Sequence, residues 1–216
     1  MMESNENSGS SDNNSSFQEE ILNGVEDIQL GGCIPGTMIV YGENATPILT
    51  TVKPSNVIMT AATLGLGRVI VCTHTIFGEE IIKPCRFPKL SENLRNWLTN
   101  KEKVNDSEIM CIDNCNMFPV NKKIIVWKGA SNKNAKFLSD LKSFILNGGA
   151  LLCAHTPWGY LQLNPGKTLE SMPVYPFFEE IGVCFTKDCA STPNGGCILI
   201  RNNKADYAHF GKCIDK

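Results

Sequence analysis

The segment that most constrains the fold is a strand–helix–strand pattern in the second half of the chain. Two apolar runs without polar alternation, Ile124–Trp127 and Ala150–Ala154, flank a helical pattern over residues 132–147. The apolar stripe of that helix consists of Leu138, Leu141, Phe144 and Ile145, and Gly148-Gly149 supplies a left-handed stop. Apolar strands joined by such a helix predict a parallel crossover buried on both faces.

The first half of the chain has a different rhythm. Short β-rich runs at residues 37–41, 47–51, 57–62 and 68–73 are separated by turn residues, which predicts a small antiparallel sheet. Residues 90–100 follow as an amphipathic helix with Ser91 as its N-cap. We expect residues 1–16, mostly Ser and Asn, to be a disordered tail, with a short helix from Phe17.

These patterns predict an α/β fold in which an antiparallel region packs on an incomplete parallel sheet. The predicted organisation is a tail at 1–16, an α+β region at 17–104, and an α/β region at 105–216. Further elements are expected at 110–112 (strand), 174–180 (helix), 183–186 (strand) and 197–200 (strand). The sheet then lacks the closing elements of a full doubly wound domain, so the chain resembles a fragment or a shortened paralogue.

Charge and hydropathy exclude several classes of function. The net charge is −2 and the basic residues are scattered, so we expect no nucleic-acid partner. The amino terminus lacks a signal-peptide pattern, and no run of about 20 apolar residues exists, so we expect an intracellular protein without a membrane span. The ten cysteines are then predicted to be thiols, mostly buried.

Two strand ends carry the same pattern, Cys-x-His-Thr, at Cys72 to Thr75 and at Cys153 to Thr156. Cys153 could be a nucleophile with His155 as its base, but a buried thiol at the end of a strand is the interpretation we favour. Open α/β sheets bind ligands at the carboxyl ends of their strands, so Cys153, His155, Thr156 and Trp158 are predicted to line a ligand pocket.

Other motifs point to structure rather than chemistry. Gly65, Gly67 and Arg68 lack the helix and the Lys-Ser/Thr of a phosphate loop, and they predict a hairpin turn. A carboxyl-terminal group could hold zinc, but its spacing never gives Cys-x-x-Cys, so we expect neither metal nor cofactor. This group consists of Cys184, Cys189, Cys197, His209 and Cys213.

The order of several short motifs resembles the amino-terminal region of the TRP channel-associated factor family. They are Ile21-Leu22-Asn23-Gly24-Val25, then Gly42-Glu43 with Pro47-Ile48, then Leu64-Gly65-Leu66-Gly67-Arg68 leading to His74, then Asn96-Trp97-Leu98, and Asn147 to Leu152 with Trp158. The resemblance covers most of residues 20–187.

The resemblance implies a flavodoxin-like fold of the class I glutamine amidotransferase kind. Family members bind a TRP cation channel, promote its delivery to the plasma membrane and modulate its gating. Many also carry a metallopeptidase-like carboxyl-terminal domain, which we expect to be absent here. An active amidotransferase needs a Gly-x-Cys-x-Gly elbow and a later His-x-Glu, and this sequence has neither.

The resemblance therefore predicts a non-catalytic cytoplasmic adaptor, peripheral at the plasma membrane, that binds a protein partner such as a TRP-type channel. Two alternatives stay open. One is a cysteine-dependent amidase or hydrolase that pairs Cys153 with His74 or His155. The other is a ligand- or glycan-sensing part of a metallopeptidase-like protein, with a pocket near His155, Trp158 and Tyr160.

Overall fold

The computed structural model describes residues 12–26, 28–51, 56–129, 131–190, 197–198 and 209–210. The described helices are α1 Asp12–Leu22, α2 Ile76–Ile82, α3 Pro88–Leu98, α4 Ala135–Leu146, α5 Pro157–Leu163 and α6 Tyr175–Ile181, with single 3-10 turns at Asp106–Glu108 and Leu169–Ser171. The described strands are β1 Ile28–Gln29, β2 Gly36–Val40, β3 Ala45–Thr50, β4 Val57–Leu64, β5 Gly67–Cys72, β6 Ile109–Cys111, β7 Ile124–Trp127, β8 Ala150–Ala154, β9 Val183–Cys189 and β10 Cys197–Ile198.

Eight of these strands form one mixed sheet in the order β6-β7-β8-β5-β4-β2-β9, with β3 paired to β4. The pairs β6–β7, β7–β8 and β8–β5 are parallel, whereas β5–β4, β4–β2, β4–β3 and β2–β9 are antiparallel. The α/β class is confirmed. The prediction that an antiparallel region packs on a separate parallel sheet is wrong, because β5 joins both halves edge to edge.

The predicted parallel crossover is confirmed. β7 and β8 pair in parallel and α4 connects them. The Asn134 side chain accepts a hydrogen bond from the Phe137 amide and so caps the first turn of α4. The chain leaves the helix through Gly148, whose φ of +101° favours glycine.

Helices cover both faces of the sheet and create two apolar cores. α1, α2 and α3 pack on one face, where Ile21, Phe77 and Trp97 are buried. α4, α5 and α6 pack on the other face, where Leu141, Tyr160 and Phe178 are buried. A sheet covered on both faces explains why β7 and β8 are apolar at every position.

Three local predictions need correction. α1 begins at Asp12, earlier than the predicted start at Phe17 and inside the predicted disordered tail, and residues 1–11 lie outside the described residues. α3 begins at Pro88 after Phe87, so Ser91 is not its N-cap. Ser91 is instead buried against the core, and its hydroxyl has no hydrogen-bond partner among the described residues.

In the described part of the chain, no helix has the length and hydropathy to cross a bilayer.

Candidate functional site

The two Cys-x-His-Thr segments do not occupy equivalent positions in the sheet. β5 and β8 are parallel neighbours, but Val71 pairs with Cys153, and Cys72 pairs with Ala154. This offset of one residue directs the two thiols to opposite faces. Cys72 lies in the core beneath α1–α3, and Cys153 lies in the core beneath α4–α6.

Cys153 is a core residue in this structure. Its exposed fraction is 0%, and burial raises the pKa of its thiol well above the ordinary value. The thiolate is the nucleophilic form, and a buried apolar setting disfavours that charge. None of the hydrogen bonds between described residues joins Cys153 to an imidazole.

His155 is equally enclosed. Its exposed fraction is 2%, and its ring packs edge-on against Trp127 and Phe185, with centroid distances of 6.1 and 6.4 Å. Burial lowers its pKa to about 4, and the more distant Asp113 opposes this shift only in part. The Nε2 atom has no hydrogen-bond partner among the described residues. His155 therefore belongs to the core as a neutral imidazole.

His74 lies at the start of α2. Its Nδ1 atom accepts a hydrogen bond from the Ile76 amide at 3.1 Å. Burial lowers its pKa, while Glu79 acts to raise it and Arg86 acts to lower it further. These neighbours belong to α2 and the segment that follows it, on the face opposite Cys153. The structure therefore does not bring His74 to Cys153.

Thr156 and Trp158 are half-buried at the entrance to α5. Thr156 precedes the helix without a side-chain capping bond, and the Trp158 indole donates to the Ile34 carbonyl at 3.1 Å. Tyr160, two residues further, is buried with its hydroxyl 3.0 Å from Ser171 Oγ. The predicted pocket of Cys153, His155, Thr156 and Trp158 is thus occupied by protein contacts at its first two positions, and ligand binding there stays a prediction.

The carboxyl-terminal cysteine group does not assemble in the described region. Among the described side chains, no three potential metal ligands cluster. The side chains of Cys197 and Cys213 lie outside the described residues. His209 is buried, with Nε2 2.9 Å from the Gly42 carbonyl oxygen.

A groove with a volume of about 710 Å³ lies at the opposite end of the sheet, where β5, β7 and β8 begin. We call it the amino-end groove. Its lining comes from the β4–β5 turn, the end of α3, the segment before β7 and the end of α4. The lining residues are Leu66, Arg68, Leu98, Thr99, Asn100, Glu102, Lys122, Lys123, Asp140, Ser143, Phe144, Asn147, Gly148 and Gly149.

The glycines of the predicted turn, Gly65 and Gly67, shape the hairpin whose Leu66 and Arg68 line this groove. β4 and β5 form a hairpin through Gly65 and Leu66, and Gly65 has a φ of +61°. A Cβ atom on Gly67 would lie 2.1 Å from the Ile145 carbonyl oxygen, so only glycine permits this approach of the hairpin to α4. The glycines thus bring the hairpin and the end of α4 together.

Arg68 holds the end of α3 against the hairpin. Its guanidinium donates to the Trp97 carbonyl at 2.6 Å and to Asn100 Oδ1 at 2.9 Å, and it lies 5.1 Å from the Trp97 ring centroid. The chain then turns through Asn100 and Lys101, whose φ angles are 53° and 66°. Two consecutive non-glycine residues at positive φ are uncommon, and the Arg68 contacts stabilise them.

Sequence reasoning missed two structural groups. The buried Glu80 carboxylate accepts hydrogen bonds from the amides of Cys85, Arg86 and Phe87, each at 2.9 Å, and so fixes the segment between α2 and α3. The Asp113 carboxylate accepts from the Lys128 and Gly129 amides at 2.9 Å, after β7. The only feature of the sequence that indicates these two hydrogen-bonded carboxylates is an acidic residue near the end of a strand or helix.

The fold and the two ends of the parallel strands define a class of protein. It is a three-layer α/β domain in which helices close the carboxyl ends of the strands and an open groove lies at their amino ends. The family model TCAF_N, described as "TRPM8, N-terminal domain", matches residues 6–194 of the 216. The chain therefore belongs to this family, and the predicted resemblance to TRP channel-associated factors is confirmed.

Two curated relatives carry the name TRPM8 channel-associated factor 2. The human protein is 27% identical over 216 residues and the bovine protein is 24% identical over 215 residues. Each alignment covers 92% of this chain and 22% of the relative. The chain thus spans about a fifth of the length of these relatives.

The fold is also similar to part of a bacterial metallopeptidase. IMPa from Pseudomonas aeruginosa in complex with an O-glycopeptide aligns with a TM-score of 0.59 at 12% identity, over 85% of this chain and 24% of IMPa. The IMPa metallopeptidase in complex with T-antigen aligns with a TM-score of 0.54 at 13% identity, over the same shares. At such low identity the likeness concerns the fold alone.

Proposed function

We propose that this chain is a non-catalytic adaptor module that binds the cytoplasmic part of a TRP-type cation channel. Its family membership and its two relatives named as TRPM8 channel-associated factors support the channel as partner. The observation that carries the non-catalytic assignment is the enclosure of Cys153, whose exposed fraction is 0%.

The chemistry around Cys153 supports an adaptor over an amidase. A catalytic thiol needs an accessible thiolate and a base within hydrogen-bond reach. Burial raises the pKa of Cys153 and lowers the pKa of His155, so the pair favours two neutral groups. His74, the other candidate base, is engaged with the Ile76 amide on the opposite side of the sheet.

The finer role follows from the same family. We infer that the adaptor promotes delivery of the channel to the plasma membrane, where the module lies at the cytoplasmic face without spanning the bilayer. We also infer that residues 105–216 are an amidotransferase-like α/β region of the flavodoxin type.

A co-precipitation with the purified chain tests the adaptor role. The bait is the chain, and the prey are the cytoplasmic segments of a TRPM8 channel, with an unrelated α/β domain of similar size as the control bait. We expect enrichment over the control, and equal enrichment with the Cys153→Ala variant, because the thiol is not used. No enrichment with the wild-type chain would refute channel binding.

A second candidate is ligand sensing, which the size of the amino-end groove favours. Its volume of about 710 Å³ lies within the range of small-molecule sites. The solved IMPa complexes contain an O-glycopeptide or T-antigen, which makes glycans a rational first set of ligands. A ligand that binds only the folded chain raises its Tm, so a thermal-shift series with these glycans tests the idea.

A further inference from the structure

The amino-end groove has an unequal distribution of charge. Among its lining residues, Arg68, Lys122 and Lys123 are basic, and Glu102 and Asp140 are acidic. Asp140 already pairs with Lys136 at 2.8 Å, outside the groove lining. Lys123 is held between Glu102 at 3.4 Å and Glu108 at 3.5 Å. Each acidic residue of the lining therefore has a lysine within ion-pair distance, and the three cations of the lining outnumber its two carboxylates.

The two remaining cations have only neutral partners among the described residues. The Lys122 ammonium donates to the Ser107 carbonyl at 2.6 Å, and the Arg68 guanidinium donates to the Trp97 carbonyl and the Asn100 side chain. Glu20 acts on Arg68 from a greater distance, but its carboxylate pairs with Lys101 at 3.5 Å. The groove thus offers two cations that form no ion pair with a carboxylate of the described chain.

Apolar side chains complete the groove. Leu66 stands at the tip of the β4–β5 hairpin with 81% of its surface exposed. The half-buried Phe144 also lines the groove, and its ring lies 5.5 Å from the Phe118 ring. An exposed leucine and an aromatic ring that line the same groove as two cations without ion pairs match an apolar side chain followed by a carboxylate.

We propose that the amino-end groove binds an acidic peptide segment of a protein partner, with an aliphatic or aromatic side chain against Leu66 and Phe144 and with carboxylates near Lys122 and Arg68. This assignment rests on the proposed adaptor function and gives it a docking site. A peptide fits better than a small anion, because the cations and the apolar residues of the lining lie on different elements of the fold.

The test uses the whole chain and a fluorescein-labelled peptide of Leu-Glu-Glu repeats, with a Leu-Gln-Gln peptide as the neutral probe. Fluorescence anisotropy measures the Kd of each. The groove variant combines Leu66→Asp with Lys122→Glu, which reverses the charge and removes the apolar tip. The control variant combines Leu163→Asp with Lys167→Glu, the same two changes at exposed positions at the end of α5 and just after it, beyond the carboxyl end of β8.

We expect the groove variant to bind the acidic peptide roughly tenfold or more weakly, and the control variant to bind it like the wild type. Salt should weaken wild-type binding, and the neutral peptide should bind poorly. Equal loss in both variants, or equal binding of both peptides, would overturn the proposal. Circular dichroism and Tm verify that both variants fold, and Lys122→Glu alone serves as the milder variant if the double variant does not.

Channel segments in the same assay separate this inference from the adaptor function. If they bind wild type and the groove variant equally, the adaptor function stands and the groove is not its docking site. If they fail to bind the wild-type chain while the acidic peptide still depends on the groove, the docking chemistry stands and the channel is the wrong partner.

Discussion

The two ends of the parallel strands differ in what they leave available to another molecule. At the carboxyl end, Cys153, His155 and Trp127 are enclosed by helices and are at most 2% exposed. At the amino end, Leu66 and Lys122 border an open groove. The position of a residue in an α/β fold indicates its function only when its packing is known. The carboxyl ends of the strands usually bind ligands, but core side chains can fill the space there.

The largest contrast is expected from truncating one large apolar side chain at each end. Trp127→Ala should lower the free energy of unfolding by about 3–5 kcal/mol, because it opens a cavity in a fully buried region. Leu66→Ala, at a position that is 81% exposed, should change it by no more than about 0.5 kcal/mol. Urea denaturation measures both, and a similar cost at the two positions would break the comparison.

Acidification should destabilise the carboxyl end through His155. Its pKa falls from 6.5 to about 4 on folding, so the unfolded chain takes up the proton first as the pH drops. The stabilisation is complete above pH 6.5 and is lost as the pH falls towards 4, by up to about 3 kcal/mol. His155→Gln cannot titrate, so its unfolding free energy should fall less over the same range.

The His155 experiment has an internal control in His74, whose pKa burial also lowers. Because His74 is only half-buried, His74→Gln should flatten the pH profile less than His155→Gln does. Identical pH profiles for wild type and His155→Gln would show that His155 is already protonated or exposed in the folded state.

A smaller effect is expected from Arg68 at the amino end. Arg68→Ala removes two hydrogen bonds to the end of α3 and the contact with the Trp97 ring, which should cost about 1–3 kcal/mol. Lys122→Ala removes a single exposed contact and should cost about 0.5 kcal/mol or less. Thermal unfolding compares the two, and equal losses would mean that Arg68 serves binding rather than structure.

The central strands of the fold were predicted better from the sequence than the short helices that follow them. The bounds of β7 and β8 match the prediction residue for residue. Continuous apolar runs on both sides of an amphipathic helix fit few arrangements other than two buried strands. The seven-residue helices α2 and α5 were missed, because two turns contain too few repeats of the helical period to recognise in a sequence. These two helices follow β5 and β8 directly, and they cover the carboxyl ends of the strands.

The offset between β5 and β8 was beyond the reach of the sequence for a physical reason. Both strands are buried on both faces, so their apolar runs lack the alternation that would fix a register. The amino-end groove was also missed, because its residues come from four separated segments and only the folded chain brings Leu66 and Lys122 together. The role of Arg68 was hidden in the same way.

The most direct test of the central claim is the native-state reactivity of Cys153. Alkylation with iodoacetamide, followed residue by residue with mass spectrometry, compares it with the exposed Cys85. Because Cys153 is fully buried and its pKa is raised, we predict labelling about 100-fold or more slower than that of Cys85, until denaturant unfolds the chain. Labelling of Cys153 as fast as Cys85 in the native protein would contradict the account and indicate an accessible, activated thiol.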